Sequence, residues 1–161
     1  MVKTNSTQQN LQASILDRLI DLEPVVSHEP VQHRFLSLSQ AKASVVRDLE
    51  NLLNTKRSIL APSGEYKVVN SSLFVYGLQD FTTQNPKSAM VRQQLRQQIE
   101  KVISRFEPRL RNVKVSLESS TKSERNLRFR INALLFVDPV AEPVTFDSYF
   151  DVNRGEYLIA K

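Results

Sequence analysis

The sequence of 161 residues contains no cysteine, no tryptophan, two histidines and three glycines. The lack of cysteine excludes a disulfide framework, a thiol nucleophile and a cysteine-ligated zinc or iron–sulfur site. His28 and His33 are too few for a histidine-rich metal site, so neither a metal nor a cofactor is expected. The three glycines are scattered along the chain, which excludes a glycine-rich phosphate loop. They are Gly64, Gly77 and Gly155.

Long apolar runs are also missing. The longest extends from Ala133 to Val137, far short of the roughly 20 residues that a membrane-spanning helix needs. Residues 1–10 are polar and lack the apolar segment of a secretory signal. We therefore expect a cytoplasmic protein with no direct membrane insertion, whose first ten residues are disordered.

The net charge of +5 is unevenly distributed, because residues 87–130 contain 12 basic and 4 acidic residues. A basic block of this kind indicates either a solvated face or an acidic protein partner. Nucleic-acid binding is a weaker alternative, since the positive residues are spread over several predicted elements without an aromatic RNA-binding pattern. The arginines that such binding would use are Arg92, Arg96, Arg105, Arg128 and Arg130.

Apolar residues at helical spacing predict three helices. The first covers residues 11–22, and its apolar stripe must pack either on the main body of the protein or on a partner. The second covers residues 40–53 after Ser39 as the N-cap residue. The third begins at Asn85–Pro86 or after Ser88, and ends before Pro108 because a residue that precedes proline is pushed out of helical geometry. Its apolar face consists of Val91, Leu95, Ile99, Val102, Ile103 and Phe106.

Alternating apolar and polar residues then predict strands over 113–117, 127–137, 144–152 and 156–160, and residues 66–70 form a further short extended piece. Residues 134–137 are apolar on both faces and are expected to be covered on both sides. The order predicts an α+β fold, with N-terminal helices and one long amphipathic helix packed on a small antiparallel sheet. Residues 11–38 form an arm, and residues 39–161 form a single domain.

No catalytic set is visible, so we do not expect an enzyme. Glu107 is the one acid in an apolar neighbourhood, and no second acid has a spacing that would place it opposite, as a glycosidase requires. A serine nucleophile would need an ordered histidine and acid, which the proline-flanked histidines do not offer. Phe129, Phe146 and Phe150 alternate along strands and are interpreted as core rather than as a base-stacking platform.

The segment Phe106–Leu110, with the sequence Phe-Glu-Pro-Arg-Leu, is the most unusual local feature. One interpretation is a helix end followed by a salt-bridged turn. The other uses Pro108 as a rigid corner from which Glu107 and Arg109 project. A preorganised acid and guanidinium make a good protein-docking element, because little entropy is lost on binding.

The order of the motifs resembles the TssE family of type VI secretion baseplate subunits and its relatives in the wedge of contractile phage tails. The resemblance covers residues 11–160. Its most specific piece is the Glu-Pro-Arg corner that follows the long helix. The matching pieces are Ser14–Leu19, Ser44–Leu49, Leu52–Arg57, Tyr76–Asp80, the helix with Ile99 and Ile103, Phe106–Leu110, and the strands over 127–137 and 144–152.

The resemblance implies a structural role that links the baseplate wedge to the contractile sheath and templates sheath assembly. It also implies a fold like the handshake domain of sheath proteins, whose sheet accepts strands from sheath subunits. The expected partners are the wedge subunits TssF, TssG and TssK and the sheath proteins TssB and TssC, with Glu107, Pro108 and Arg109 docking on the wedge. Relatives are often labelled lysozyme-like, so the alternative is a peptidoglycan-degrading enzyme with Glu107 as the general acid.

Overall fold

The computed structural model describes residues 11–20, 25, 35–60, 62–81, 84, 88–118, 127–137, 140–151 and 153–160. The predicted disorder over residues 1–10 and the two histidines, His28 and His33, lie outside these ranges. No helix within them is long and apolar enough to cross a membrane. The elements are β1 (Leu11–Gln12), α1 (Ile15–Leu19), β2 (Phe35–Leu36), α2 (Leu38–Asn54), α3 (Ala89–Phe106), β3 (Leu110–Leu117), β4 (Leu127–Val137), β5 (Val140–Asp151) and β6 (Glu156–Ile159).

The main sheet is an antiparallel meander in the order β3-β4-β5-β6. Strands β4 and β5 form its long central hairpin, with a register that runs from Leu127 opposite Phe150 to Val137 opposite Val140. The α+β class is therefore confirmed. The bounds of β4 are those predicted, whereas β3 and β5 each begin earlier than predicted because pairing with β4 extends them.

Helices α2 and α3 cover one face of this sheet. Burial alternates along β4, where Phe129 and Ile131 are 1% and 0% exposed. Phe146 on β5 belongs to the same core, so the core interpretation of Phe129 and Phe146 is confirmed. The helices contribute the apolar stripes that their spacing predicts, and these side chains are buried. They include Val45, Val46, Leu49, Leu52 and Leu53 from α2, and Leu95, Ile99, Val102 and Ile103 from α3.

The opposite face of the sheet carries exposed polar residues, among them Arg128, Arg130 and Asn132. Leu134 and Phe136 also lie on this face and are partly exposed. The guanidinium of Arg111 lies 4.1 Å from the centroid of the Phe136 ring, an arrangement that shields an aromatic face while the charge stays in water. The prediction that the end of β4 is covered on both sides is therefore wrong for the described residues, which place no second layer there.

The N-termini of the two long helices differ in how they are capped. Helix α2 begins after Ser37, not Ser39. Ser37 Oγ accepts from the Gln40 N–H at 3.3 Å, and Gln40 Oε1 accepts from the Ser37 N–H at 2.8 Å, which is a capping box. Helix α3 begins after Ser88, as one of the two predicted starts requires, although the Ser88 side chain makes no capping bond.

Helix α1 is much shorter than the predicted helix over 11–22. Leu11 and Gln12 instead pair with Phe35 and Leu36 of β2, so the helix starts only after Ser14, whose side chain accepts from the Asp17 N–H. Ile15 and Leu19 are 77% and 76% exposed. Within the described residues, these two side chains of the stripe are therefore not packed on the main body.

The connection between α2 and α3 is fixed at Gly77. Its φ is +95°, and a Cβ atom added there would lie only 2.2 Å from Thr55 O, so the position has room for glycine alone. The close approach lets Leu78 N–H donate to Thr55 O at 2.8 Å. The prediction that residues 66–70 are extended is wrong, because Asn70 Nδ2 donates to Ser63 O and to the carbonyl of residue 66 and so folds the segment into turns.

Candidate partner-docking site

The Glu-Pro-Arg corner lies where α3 ends and β3 begins. Glu107 is the C-cap residue of α3, and its N–H donates to Ile103 O at 2.9 Å. Pro108 follows and is exposed, while Leu110 N–H closes the turn on Glu107 O at 3.0 Å. The carbonyl of Arg109 accepts from Phe136 N–H at 2.7 Å, which ties the corner to β4. The backbone of the corner is therefore fixed on both sides.

The side chains of Glu107 and Arg109 face each other across this turn. Arg109 Nε donates to Glu107 Oε1 at 2.7 Å, and Arg109 Nη2 donates to Glu107 Oε2 at 2.6 Å. The side chain of Glu107 is only 5% exposed and that of Arg109 is 22% exposed. A bidentate pair of this kind is directional as well as strong, so both side chains are locked.

Arg109 also reaches helix α2. Its Nη1 donates to Ser44 Oγ at 3.0 Å, and its Nη2 donates to Asp48 Oδ2. Arg47 lies beside them, with Nη2 at 2.9 Å from Asp48 Oδ1. Because Ser44 and Asp48 are four residues apart, they lie on one side of α2. That side of the helix receives the guanidinium of the corner.

Asp17 of α1 completes the cluster. Its carboxylate accepts from Ser14 Oγ at 2.6 Å, from Ser44 Oγ at 2.8 Å and from Arg47 Nη2 at 2.8 Å. Burial alone would raise the pKa of Asp17, but these hydrogen bonds and the charge of Arg47 outweigh it and hold the pKa below its ordinary value. We call the group the corner network. Its members are Asp17, Ser44, Arg47, Asp48, Glu107 and Arg109.

The charged groups of the corner network shift the pKa values of one another and of Tyr76. Burial would lower the pKa of Arg109, but its hydrogen bonds and charge interactions with Glu107 and Asp48 raise it overall. The pKa of the Tyr76 hydroxyl is raised by burial and by the Asp48 and Glu107 carboxylates. Three carboxylates thus face two guanidinium groups in a partly dry site, where each charge depends on its partner.

The structure decides between the two interpretations of the corner geometry. Glu107 does not project outward, because its side chain is buried against Arg109; the salt-bridged turn is the arrangement observed. Of the three predicted docking residues, Pro108 is exposed and Arg109 is partly exposed. Sequence reasoning does not identify the other members of the network, although the motifs that contain Asp17, Ser44 and Asp48 carry the family resemblance.

The same geometry bears on the enzymatic alternative. A general acid must present its carboxyl to a substrate. Both oxygens of Glu107 instead accept from Arg109, and the side chain is almost completely covered. Glu107 thus has the contacts of a structural ion-pair partner rather than those of a general acid.

Comparison with known proteins gives the family of this chain. The family model described as baseplate wedge protein gp25 matches residues 39–140. The chain belongs to this baseplate wedge family, whose members are structural components, and the sequence-based resemblance to wedge proteins is confirmed. No curated protein sequence matches the chain significantly. A solved chain from a structure described as the baseplate complex from the type VI secretion system is similar, with 20% identity and a TM-score of 0.49 over 71% of this chain and 97% of that one.

Proposed function

We propose that this protein is the wedge subunit of a type VI secretion baseplate that joins the wedge to the contractile sheath. Membership of the baseplate wedge family supports a structural role, and the ordered motifs of the sequence favour the type VI secretion branch. The expected partners are TssF, TssG and TssK in the wedge and TssB and TssC in the sheath. Their assembly would take place in the cytoplasm.

The observation that carries the proposal is the convergence of three family-like motifs on the corner network. Ser14–Leu19 contributes Asp17, Ser44–Leu49 contributes Ser44 and Asp48, and Phe106–Leu110 contributes the corner itself. The network holds Pro108 in a fixed, exposed position at the end of a long helix. A rigid exposed corner loses little entropy on docking. We infer that Pro108 and the exposed part of Arg109 contact the wedge, while Glu107 positions them.

The edges of the sheet support a role in accepting sheath strands. Along β6, the N–H and C=O of Tyr157 bond to the Asn54 side chain at 2.7 and 2.9 Å, and Ile159 N–H bonds to Glu50 Oε1 at 3.1 Å. Side chains of α2 therefore seal the outer edge of β6. An edge sealed in this way offers no template for strand addition.

Strand β3 forms the other edge of the sheet and is twice as long as β6, with 8 residues against 4. Glu118 N–H donates to Arg128 O, so the antiparallel register directs the N–H groups of Val115 and Leu117 away from β4. Within the described part of β3, Glu100 is the one side chain that bonds this outer edge, at 2.8 Å from Val115 N. We infer that sheath strands add at β3 by main-chain hydrogen bonds.

An affinity pull-down from the native cytoplasm tests the proposal. Tagged wild-type protein is expected to recover both wedge and sheath subunits. Pro108→Gln should recover fewer wedge subunits at an unchanged melting temperature, because it alters the exposed corner without removing a charge. Pro143→Gln is the matched control, since Pro143 is also exposed. A folded wild-type protein that recovers neither wedge nor sheath subunits would contradict the proposal.

A further inference from the structure

A second charged surface lies beside the corner and shares no residue with the corner network. It is a cavity of about 380 Å³ between the segment over residues 57–75 and the last turns of α3. Four cationic side chains line it, and none of its lining residues in the described part of the chain is acidic. The four are Arg57, Lys67, Lys101 and Arg105. We call this surface the basic pocket.

The basic pocket is a built feature rather than a chance grouping of long side chains. Arg105 Nη1 donates to Asn70 O at 2.7 Å, and Arg57 N–H donates to Leu78 O at 2.7 Å. The Arg105–Asn70 bond joins α3 to the opposite wall, and the Arg57–Leu78 bond fixes the start of that wall. Lys101 and Arg105 are four residues apart on α3 and therefore lie on the same side of the helix. The pocket thus has two fixed walls that present positive charge to one space.

Among the described residues, no acidic side chain forms an ion pair with any of the four cations, Arg57, Lys67, Lys101 and Arg105. Like charges that share a small space repel one another, so an anionic group in the pocket would relieve that repulsion. The pocket is consequently complementary to carboxylate or phosphate groups.

The surroundings of the pocket distinguish between these two kinds of anion. The same segment exposes several large apolar side chains, including Ile59 at 100% and Val68 at 84% exposure. A contiguous set of exposed apolar residues beside charge is typical of a protein interface. A nucleic acid would instead require basic residues along the path of its phosphate backbone. Arg128 and Arg130, however, lie on the face of the sheet that is turned away from α3. The basic pocket therefore favours a polypeptide.

We propose that the basic pocket and its apolar rim form a docking site for an acidic segment of a partner protein in which glutamate or aspartate alternates with apolar residues. The carboxylates would occupy the pocket, and the apolar residues would cover Ile59, Leu60, Val68 and Leu73. This interface is separate from the corner network. It gives a role to Lys101 and Arg105, two residues of the basic block over residues 87–130 that the proposed function does not use.

Binding of a synthetic peptide to the full chain tests this site. The probe is a fluorescein-labelled peptide that alternates pairs of glutamate and leucine, with a glutamine-for-glutamate peptide and a short DNA duplex as comparisons. Wild-type protein should bind the glutamate peptide at least about tenfold more tightly than the glutamine peptide, with strong dependence on salt. Lys67→Gln/Lys101→Gln should weaken that binding about fivefold or more. Both lysines are exposed, so the fold should be retained.

Lys114→Gln/Arg154→Gln is the control, because it removes two exposed charges away from the pocket. The affinity of this variant for the glutamate peptide should stay within about twofold of the wild-type affinity. Three results would overturn the proposal. The wild type could fail to bind the glutamate peptide, or both double variants could lose the same amount of affinity for it. The wild type could also bind the DNA duplex more tightly than the glutamate peptide and lose that DNA binding when Lys67 and Lys101 are replaced.

Discussion

Glu107 and Arg109 form a closed ion pair across a single proline, with donor–acceptor distances of 2.7 and 2.6 Å. The pair turns the end of a helix into a fixed corner and connects it to α2 through Asp48. A helix end would ordinarily fray. Here the C-cap residue is also the buried acceptor of a guanidinium, so the direction in which β3 leaves α3 is set by side chains as well as by backbone.

Replacement of Arg109 should therefore destabilise the fold as well as affect docking. Arg109→Ala removes the cation that faces the buried Glu107 carboxylate, whereas Asp48 keeps its ion pair with Arg47. A buried carboxylate left without its partner costs about 3 kcal/mol. Urea unfolding monitored by circular dichroism measures the loss of unfolding free energy. A variant as stable as the wild type would show that the network contributes little to the fold and that Arg109 acts in docking alone.

Stability should depend on pH through Asp17. Its pKa is lower in the folded protein than the unfolded value of about 3.9. The folded state therefore binds fewer protons, and the stabilisation from Asp17 is present above about pH 4 and is lost as the pH falls through the folded pKa. Asp17→Asn should lower the melting temperature near neutral pH. The difference from the wild type should shrink at about pH 3, and a constant difference would contradict this assignment.

Gly77→Ala should destabilise the connection between α2 and α3. The new methyl group would collide with Thr55 O at a backbone position with φ of +95°. Relief requires loss of the Leu78–Thr55 hydrogen bond, so we expect a cost of roughly 2 kcal/mol or more. Gly64→Ala is the matched control, because no atom lies within 4 Å of the place that its new methyl group would occupy. Thermal unfolding of the two variants should differ by several degrees.

The sheet edge at β3 can be tested with a pair of variants at Leu117. Both Leu117→Pro and Leu117→Ala lose the side chain, but only the proline variant loses the outward N–H group. Sheath recovery in the pull-down should fall for proline relative to alanine, while wedge recovery should be the same for both. Equal sheath recovery would show that strands do not add at this edge, and loss of both partners would indicate misfolding.

Local patterns are sufficient to predict much of the fold. The apolar face of α3 and the alternation along β4 predict those elements because each pattern is repeated over many residues. The predicted start of α2 is wrong by two residues although its signal is present, since Ser37 and Gln40 have the spacing of a capping box. The predicted helix over 11–22 is too long because its first residues pair with a distant strand, and helical spacing does not reveal such pairing.

The corner network cannot be derived from local patterns. Asp48 lies 31 residues after Asp17, and Arg109 lies 61 residues after Asp48, so no periodicity connects the three. The motifs that contain them are individually weak, and their order alone points to the family. The burial of Glu107 cannot be predicted for the same reason. A Glu-Pro-Arg sequence allows the Glu107 side chain to point outward or inward, and the contact of Arg109 with Asp48 on α2 favours the inward orientation.

The sealed outer edge of β6 makes the two edges of the sheet unequal. Asn54 and Glu50 occupy the hydrogen-bonding groups on that side of the sheet, so two copies cannot pair through their β6 strands, and an added strand has one side on which to dock. A subunit with two open edges could be extended in either sense or could join copies of itself into fibres. Under the proposed addition of strands at β3, a subunit with one open edge would act as a terminus, from which a larger assembly grows in one direction only.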